Sequence, residues 1–411
     1  MRATKDSGFE WIGIIPSEWG LSRIGQVYRL RNTKVSDTDY PPLSVTNKGI
    51  VPQLDTAAKT NAHDDRKLVK KGDFAINSRS DRRGSCGISD YDGSVSLINT
   101  ILAPLGEMNP GYYDWLFHTV QFGDEFYKFG HGIVDDLWTT GWQDMKKITI
   151  PTPPLAEQRR IADFLDAKCA EIDALTADIQ TQIDTLEQYK RSVITETVTK
   201  GLNPDAEMKD SGIEWVGQMP LAWDAVPNKY LMYKVKNVCP VYNGEDILSL
   251  TTNGVIIRDL NGGGKMPTSF DGYQKVTPGN LLMCLFDIDV TPRCIGLVKN
   301  FGLTSPAYSQ FVMRTGVYAP YYYYYYLMVD YTKELLHMAK NLRHSLTEDQ
   351  LGAIKAPNPP YEEQVQIAEF LDKKCVEISR VIEDKNKQLA TLDEYKKSLI
   401  FEYVTGKKEV V

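Results

Sequence analysis

The sequence of 411 residues lacks the usual marks of a secreted, membrane or metal-binding protein. Its six cysteines form no CxxC pair and its five histidines show no zinc-ligand spacing, so we expect reduced thiols and no metal. No apolar stretch follows the first basic residues, which argues against a signal peptide, and the longest apolar run, about residues 321–329, is roughly half a membrane span. We therefore expect a cytoplasmic protein without a cofactor.

An excess of basic residues is also absent, since the formal net charge is −7. The acidity is concentrated in two segments: residues 156–200 hold nine acids and six bases, and residues 361–405 hold ten acids and seven bases. The remainder is close to neutral and contains local basic clusters. Because the distribution of charge matters more than its sum, the acidity does not exclude a nucleic-acid partner.

The sequence does contain an internal repeat: its two halves share similar segments. The segment at 7–19, SGFEWIGIIPSEW, returns at 211–223 as SGIEWVGQMPLAW. The segment at 153–169, PPLAEQRRIADFLDAKC, returns at 359–375 as PPYEEQVQIAEFLDKKC. A period of about 200 residues is too long for a solenoid repeat and indicates a duplicated domain, each copy large enough to bury its own core. The middles of the two copies differ strongly.

A long helix is predicted after each Pro-Pro pair, where proline is tolerated at a helix start. Apolar residues then recur at steps of three and four over about four heptads, as a coiled coil requires. We expect the two stripes to pack antiparallel around a pseudo-two-fold axis; the alternative is two independent helices, each packed on its own domain. The expected packing positions are Ile172, Leu175, Ile179, Ile183, Leu186, Tyr189 and Val193 in the first helix and Ile378, Val381, Leu389, Leu392, Tyr395 and Leu399 in the second.

The repeated lead-ins, the repeated Pro-Pro-x-x-Glu-Gln openings and the divergent middles together resemble the specificity subunit of Type I restriction-modification systems. The resemblance covers the whole chain and implies a mixed α/β fold with two pseudo-symmetric target-recognition domains separated by two long antiparallel helices. The implied boundaries are a first recognition domain at 1–152, a first helix at 153–204, a second recognition domain at 205–358 and a second helix at 359–411.

The same resemblance implies a function without catalysis. Each half would read one part of a bipartite site in double-stranded DNA, while the helices set the spacing and dock methyltransferase (modification) subunits; a restriction (translocase) subunit would join afterwards. Recognition domains diverge freely within the family, so base-reading residues cannot be transferred and must be sought in the chain.

Candidate DNA-binding residues in the first half begin with a basic segment at 66–83, which holds seven bases and two acids. Arginine there could bind phosphate or guanine, whereas the alternative is a solvated loop. The candidates are Arg66, Lys67, Ser78, Arg79, Ser80, Arg82 and Arg83, together with Thr46, Asn47 and Lys48 in a turn before a glycine.

The second half offers different residue types at corresponding places, so the two halves are expected to read different bases. Acids could accept from cytosine N4, and asparagine could pair with adenine. The candidates are Thr251, Thr252, Asn253, Lys265, Asp287, Arg293, Asn341, Arg343, His344 and Ser345.

Three other interpretations were weighed. The tetrapeptide Asn358-Pro359-Pro360-Tyr361 matches the catalytic loop of amino-methyltransferases, but its repeat partner keeps only the prolines, and no glycine-rich cofactor turn accompanies it. The glycine-rich segment 261–265 lacks the flanking residues of a phosphate-binding P-loop. A purely structural coiled-coil organiser is the remaining alternative. The paired tryptophans and the tyrosine run at 321–326 are expected to pack inside the framework.

Overall fold

The computed structural model describes residues 2–53, 63–79, 84–132, 138–260, 262, 267–339 and 343–410. The chain forms two compact units of mixed α/β structure. The first comprises residues 1–179 and 386–411, and the second comprises residues 180–385. Each unit therefore contains one mixed α/β region and one piece of each long helix.

The first unit consists of short strands and helices joined by tight turns. Its strands are β1 (Thr4–Asp6), β2 (Ile14–Pro16), β3 (Gly20–Arg23), β4 (Tyr28–Leu30), β5 (Lys34–Val35), β6 (Leu43–Thr46), β7 (Gly49–Pro52), β8 (Arg66–Val69), β9 (Phe74–Asn77), β10 (Cys86–Ile88), β11 (Gly93–Val95), β12 (Asn99–Pro104) and β13 (Thr149–Thr152). Its helices are α1 (Ile24–Val27), α2 (Pro110–Phe117), α3 (Val120–Lys128), α4 (Trp142–Met145), the first part of α5 (Leu155–Lys200) and the last part of α8 (Tyr361–Val404). Side chains of Asn109 and Thr119 cap α2 and α3 by accepting from free backbone N–H groups.

The second unit repeats this order of elements. Its strands are β14 (Met208–Asp210), β15 (Gln218–Pro220), β16 (Asp224–Pro227), β17 (Met232–Val235), β18 (Leu248–Thr251), β19 (Gly254–Ile257), β20 (Gln274–Val276), β21 (Leu281–Met283), β22 (Ile295–Leu297), β23 (Gly302–Thr304), β24 (Ser309–Met313) and β25 (Lys355–Asn358). Its helices are the end of α5, then α6 (Ala319–Thr332), α7 (Glu348–Ala353) and the first part of α8 (Tyr361–Val404), with 3-10 turns at Asn228–Tyr230 and Glu334–Met338.

The same antiparallel sheet lies at the centre of both units. Its strand order is β10-β9-β12-β4 in the first and β22-β21-β24-β17 in the second. The hairpins β1-β2 and β6-β7 likewise correspond to β14-β15 and β18-β19. The duplication therefore extends through the middles of the two copies, where the sequence gives only scattered similarity.

Aromatic residues fill both cores, as the sequence indicated. Phe74 and Phe117 pack with ring centroids 4.8 Å apart in the first unit. In the second unit α6 buries Tyr321, Tyr322 and Tyr325 completely. The interpretation of the tyrosine run as packing is confirmed, because these rings lie among core side chains.

The repeated Trp and Glu-Gln motifs bind each other within each unit. The indole Nε1 of Trp19 donates to Glu157 Oε2 at 2.9 Å, and Trp223 makes the same bond to Glu363 at 2.9 Å. Both tryptophans are almost fully buried. The lead-in is thereby attached to the first turn of the long helix, which confirms that these tryptophans belong to the framework.

The glutamine after each glutamate holds the helix to the recognition region. Gln158 accepts from Asn109 N at 2.9 Å and donates to Pro153 O at 2.8 Å. Gln364 accepts from Tyr318 N at 2.8 Å and donates to Pro359 O, also at 2.8 Å. Because both residues are buried, these amide bonds also satisfy polar groups that water cannot reach.

The pieces of α5 and α8 are antiparallel in each unit. In the first, the rings of Phe164 and Tyr403 lie 4.4 Å apart, and Lys396 Nζ lies 2.6 Å from Asp173 Oδ1. In the second, Lys190 Nζ donates to Ser379 Oγ at 2.8 Å. Residues 173 and 379 are repeat-equivalent, as are 190 and 396, so one polar contact occurs twice. The alternative of two unpaired helices is wrong.

The buried stripe differs from the predicted one at four positions. Leu175, Tyr189, Val381 and Tyr395 expose 45–53% of their surface, so their expected place in the seam is corrected. At each of these four positions the next residue along the helix lies in the seam instead. An α-helix turns by 100° per residue, so a seam that continues along the helix moves by one residue at these points. These replacements are Thr176, Lys190, Ile382 and Lys396. The remaining predicted positions are buried or half-buried: Ile172, Ile179, Ile183, Leu186, Val193, Ile378, Leu389, Leu392 and Leu399.

Candidate nucleic-acid interface

Two loops are joined side by side in the first unit, at the end of strand β9. Thr140 N donates to Ser78 O at 2.9 Å, and Arg79 forms an antiparallel bridge with Thr139. The side chain of Asn77 accepts from Arg79 N at 3.0 Å, which fixes the backbone as it leaves the strand. We call these joined loops, residues 77–79 and 139–140, the first platform. Arg79 lies on this platform, and its side chain is exposed.

Only part of the predicted basic segment is at this platform. The Ser78 hydroxyl is within 2.9 Å of Thr100 Oγ1, so it is already engaged, whereas Arg79 remains a candidate for phosphate or base contact. Three other candidates, Ser80, Arg82 and Arg83, lie outside the described residues.

The prediction for Arg66 is wrong. Its side chain is buried in β8, with Nε donating to Ser94 Oγ at 2.8 Å and Nη2 to Ser94 O at 2.9 Å. Lys67 is anchored in a similar way, by a bond of 2.7 Å from Nζ to Asn99 O, and burial lowers the pKa of its ammonium group. The number of basic residues in the segment suggested an exposed, DNA-binding loop. Arg66 and Lys67 instead belong to a strand, where side chains alternate between the two faces.

The second unit contains the corresponding pair of loops, at the end of strand β21. Leu346 N donates to Leu285 O at 2.8 Å, and Asp287 N donates to Arg343 O at 2.9 Å. Ile288 N continues this ladder to His344 O at 3.3 Å. The structure therefore brings together candidates separated by more than fifty residues, namely Asp287 on one loop and Arg343, His344 and Ser345 on the other.

A hydrogen bond and two unusual backbone conformations fix the shape of the second platform, which is formed by the joined loops at 285–288 and 343–346. His344 Nδ1 lies 2.8 Å from Asp289 Oδ2, and this hydrogen bond lowers the pKa of the Asp289 carboxyl. Asp287 and His344 have φ values of 47° and 40°. Aspartate and histidine are among the side chains that tolerate this left-handed region best, so the residue types suit the turns they form.

Arg293 is mostly buried against α6, which corrects its predicted role as a DNA contact. Its Nε lies 3.8 Å from Asp330 Oδ2, its side chain is only 16% exposed, and its guanidinium lies over the ring of Tyr331. Asp330 also accepts from Cys294 N at 2.9 Å and pairs with Lys333 Nζ at 2.8 Å. A buried carboxylate requires such partners, and Arg293 and Lys333 both supply a positive charge beside Asp330.

The hairpins β6-β7 and β18-β19 end in matched turns. Thr46 Oγ1 donates to Gly49 O at 2.9 Å, and Thr251 Oγ1 donates to Gly254 O at 3.0 Å. These two hydroxyls are therefore used within the turn. Exposed side chains remain at each tip, and they are Asn47 and Lys48 in the first hairpin and Thr252 and Asn253 in the second.

Two glycines that the sequence analysis missed hold each hairpin beside its platform. A Cβ on Gly87 of β10 would lie 2.7 Å from Gly49 Cα, and a Cβ on Gly296 of β22 would lie 2.5 Å from Val255 Cγ2. Only glycine permits this approach. The available signal was the position of each glycine in the first strand after the platform loop, in both copies.

Two alternatives can be assessed at the remaining motifs. Asn358 ends strand β25, and its side-chain oxygen accepts from Tyr322 OH at 3.0 Å and from Gln364 Nε2 at 3.3 Å. The amide oxygen is thus engaged in hydrogen bonds at a helix start, and the structure gives no support to the methyltransferase alternative. The candidates Lys265 and Asn341 lie outside the described residues, as does most of the segment 261–265.

Comparison with known proteins finds similar proteins of one kind. Residues 16–185 match the family described as Type I restriction modification DNA specificity domain. Over its whole length the chain is 26% identical to the Type I restriction enzyme MjaVIII specificity subunit of Methanocaldococcus jannaschii, of which it covers 98%. The chain is thus similar to Type I restriction-modification specificity subunits. A putative MjaX specificity subunit of the same organism is 26% identical over 65% of this chain and 60% of its own length.

Solved structures of this family share the fold. A chain from work on complex assembly and conformational transition of the type I R-M system has a TM-score of 0.73 at 14% identity, covering 96% of this chain and 99% of its own. The HsdS subunit from Thermoanaerobacter tengcongensis has a TM-score of 0.51 at 16% identity, covering 96% and 98%. The expected architecture, with recognition regions and two long helices, is confirmed at the level of fold.

The described residues contain no group of three or more His, Cys, Asp or Glu side chains arranged to hold a metal ion. None of their helices is both long and apolar enough to cross a membrane.

Proposed function

We propose that this chain is the non-catalytic subunit that selects the DNA sequence for a restriction-modification complex. Each recognition region would read one part of a bipartite duplex site from its platform and hairpin. The proposal rests on one observation. The two units share a framework and present corresponding pairs of loops, but the loops carry different side chains. Arg79 stands on the first platform, whereas Asp287, Arg343 and His344 stand on the second.

The division of labour follows the expected boundaries, with recognition domains at 1–152 and 205–358 and helices at 153–204 and 359–411. The helices would set the spacing between half-sites and dock the methyltransferase subunits, with the restriction subunit joining the assembly. The net negative charge of residues 156–200 and 361–405 supports a role in binding protein and not DNA, because phosphate repels carboxylates. We place the complex in the cytoplasm, where its DNA substrate is found.

The test begins by expressing the chain with its modification subunit and mapping methylated positions in the host genome. The motif obtained in this way defines both half-sites. Binding is then measured on duplexes in which neither, one or both half-sites are scrambled. We expect the affinity to fall when either half is scrambled, and to weaken as salt rises because phosphate contacts release counterions.

A complex that binds all four duplexes equally would overturn the proposal. Methyl transfer by the purified chain alone would instead support the methyltransferase alternative. Binding of the modification subunit without any selective effect on DNA would support the structural organiser.

A further inference from the structure

An apolar side chain stands at the tip of the second platform. Val290 is 73% exposed, more than any other large apolar side chain in the described parts of the chain. Its neighbours in sequence are the charged Asp289 and the polar Thr291, and Ile288, two residues before it, is buried. Val290 is therefore an exposed apolar side chain between polar neighbours.

The backbone holds this side chain in a fixed position. Val290 N and Thr291 N both donate to Asp287 O, at 3.2 Å and 2.9 Å, which closes a tight turn. Lys333 Nζ donates to Thr291 O at 2.7 Å and also pairs with the buried Asp330. The turn is thus tied to helix α6 on one side and to the loop containing His344 on the other.

The chemistry beside Val290 fits one edge of a base pair. In the major groove a T·A pair presents the thymine methyl group next to hydrogen-bonding atoms of both bases. An exposed valine next to the Asp289 carboxylate and the His344 imidazole offers the matching combination of apolar and polar contacts. A protein-binding surface would require a larger apolar patch than one side chain.

We propose that Val290 contacts the 5-methyl group of a thymine in the half-site read by the second unit. The inference rests on the proposed function and adds to it a specificity-determining residue. Selectivity would arise because the valine loses its apolar partner when that base pair is changed.

The experiment uses the full chain in complex with its modification subunit and duplexes carrying the mapped site. Each thymine of the second half-site is replaced in turn by uracil, which removes only the methyl group. We expect one position at which uracil weakens binding about fourfold, the effect of one buried methyl-sized group. Val290→Ala should bind the thymine duplex about fourfold less tightly and should no longer distinguish uracil at that position.

Val241→Ala is the matched control, since Val241 is also a 60% exposed valine in the second unit, in the segment between β17 and β18. This variant should retain both the affinity and the sensitivity to uracil. Because both valines are largely exposed, neither variant should change the unfolding temperature, which is measured alongside.

Several outcomes would overturn the inference while leaving the proposed function intact. They are a second half-site without thymine, an absence of any uracil-sensitive position, or a Val290→Ala complex that remains sensitive. Weaker binding of the modification subunit by Val290→Ala, with unchanged sensitivity, would identify a protein contact instead. If the unaltered complex cannot distinguish its site from a scrambled duplex, the proposed function itself fails and the inference fails with it.

Discussion

Trp223 donates its indole hydrogen to the carboxylate of Glu363 over 2.9 Å, and the repeat-equivalent pair, Trp19 and Glu157, has the same distance. The two pairs differ in what surrounds them. Glu157 is also held by Arg2, through bonds of 2.5 and 2.7 Å, whereas the position equivalent to Arg2 is Ala206. Glu363 has no second side-chain partner within the described residues.

This difference predicts unequal effects of the same substitution. Trp223→Phe should lower the free energy of unfolding by about 1.5–3 kcal/mol, because a partly buried carboxylate loses its donor. Trp19→Phe should lower the free energy of unfolding by less, because Arg2 still pairs with Glu157. Urea denaturation of the two variants and of Arg2→Ala/Trp19→Phe measures the comparison. Equal losses in the two single variants would show that Arg2 does not compensate.

The corrected helix seam makes a second prediction. Ile179→Ala should destabilise the protein by about 2–4 kcal/mol because it leaves a cavity in the seam. Leu175→Ala, at a position that is 47% exposed, should cost less than about 1 kcal/mol. The two variants remove similar volumes from the same helix, so each is the control for the other in a urea titration. A larger loss of stability for Leu175→Ala than for Ile179→Ala would support the buried stripe that the sequence predicts.

These helices also illustrate how far sequence reasoning reaches. Their existence, their antiparallel pairing and the motifs at their starts follow from local periodicity and from repetition. The one-residue shift of the seam at Leu175 and Val381 does not follow from these local patterns. A polar residue such as Thr176 can occupy a seam position only when the partner helix is already in place.

The recognition regions were harder to predict for a related reason. Arg66 and Arg293 look like candidate DNA contacts in a sequence, but their partners, Ser94 and Asp330, are distant along the chain. The proximity of Asp287 to His344 likewise depends on the pairing of two loops. Such contacts are set by tertiary structure, which residue type and local spacing do not specify.

A third prediction concerns the glycine that seats the first hairpin. Gly87→Ala should displace β6-β7, because its Cβ would lie 2.7 Å from the backbone Cα of Gly49. We expect modification at the first half-site to fall while the second half-site is still selected. Gly123→Ala is the control, since a Cβ there meets nothing within 4 Å and alanine favours the helix. Unchanged modification by folded Gly87→Ala protein would argue against a reading role for this hairpin.

The proposed role of the helices in setting spacing predicts a change of length preference. A four-residue insertion between Ile179 and Leu186, with a matching one between Lys385 and Leu392, adds about 6 Å of helix and nearly preserves the seam. Since DNA rises about 3.4 Å per base pair, the preferred spacer should lengthen by about one to two base pairs. Methylation of duplexes that differ only in spacer length gives the optimum, and an unchanged optimum in a folded protein would refute the role.

The most direct test of independent reading by the two halves is an exchange of recognition regions. Residues 20–150 are replaced by the corresponding segment of another family member with a known target, and the methylated motif of the resulting complex is determined by genome sequencing. We predict that one half of the motif becomes that of the donor, while the other half and the spacer stay as they were. A motif altered in both halves would contradict the account.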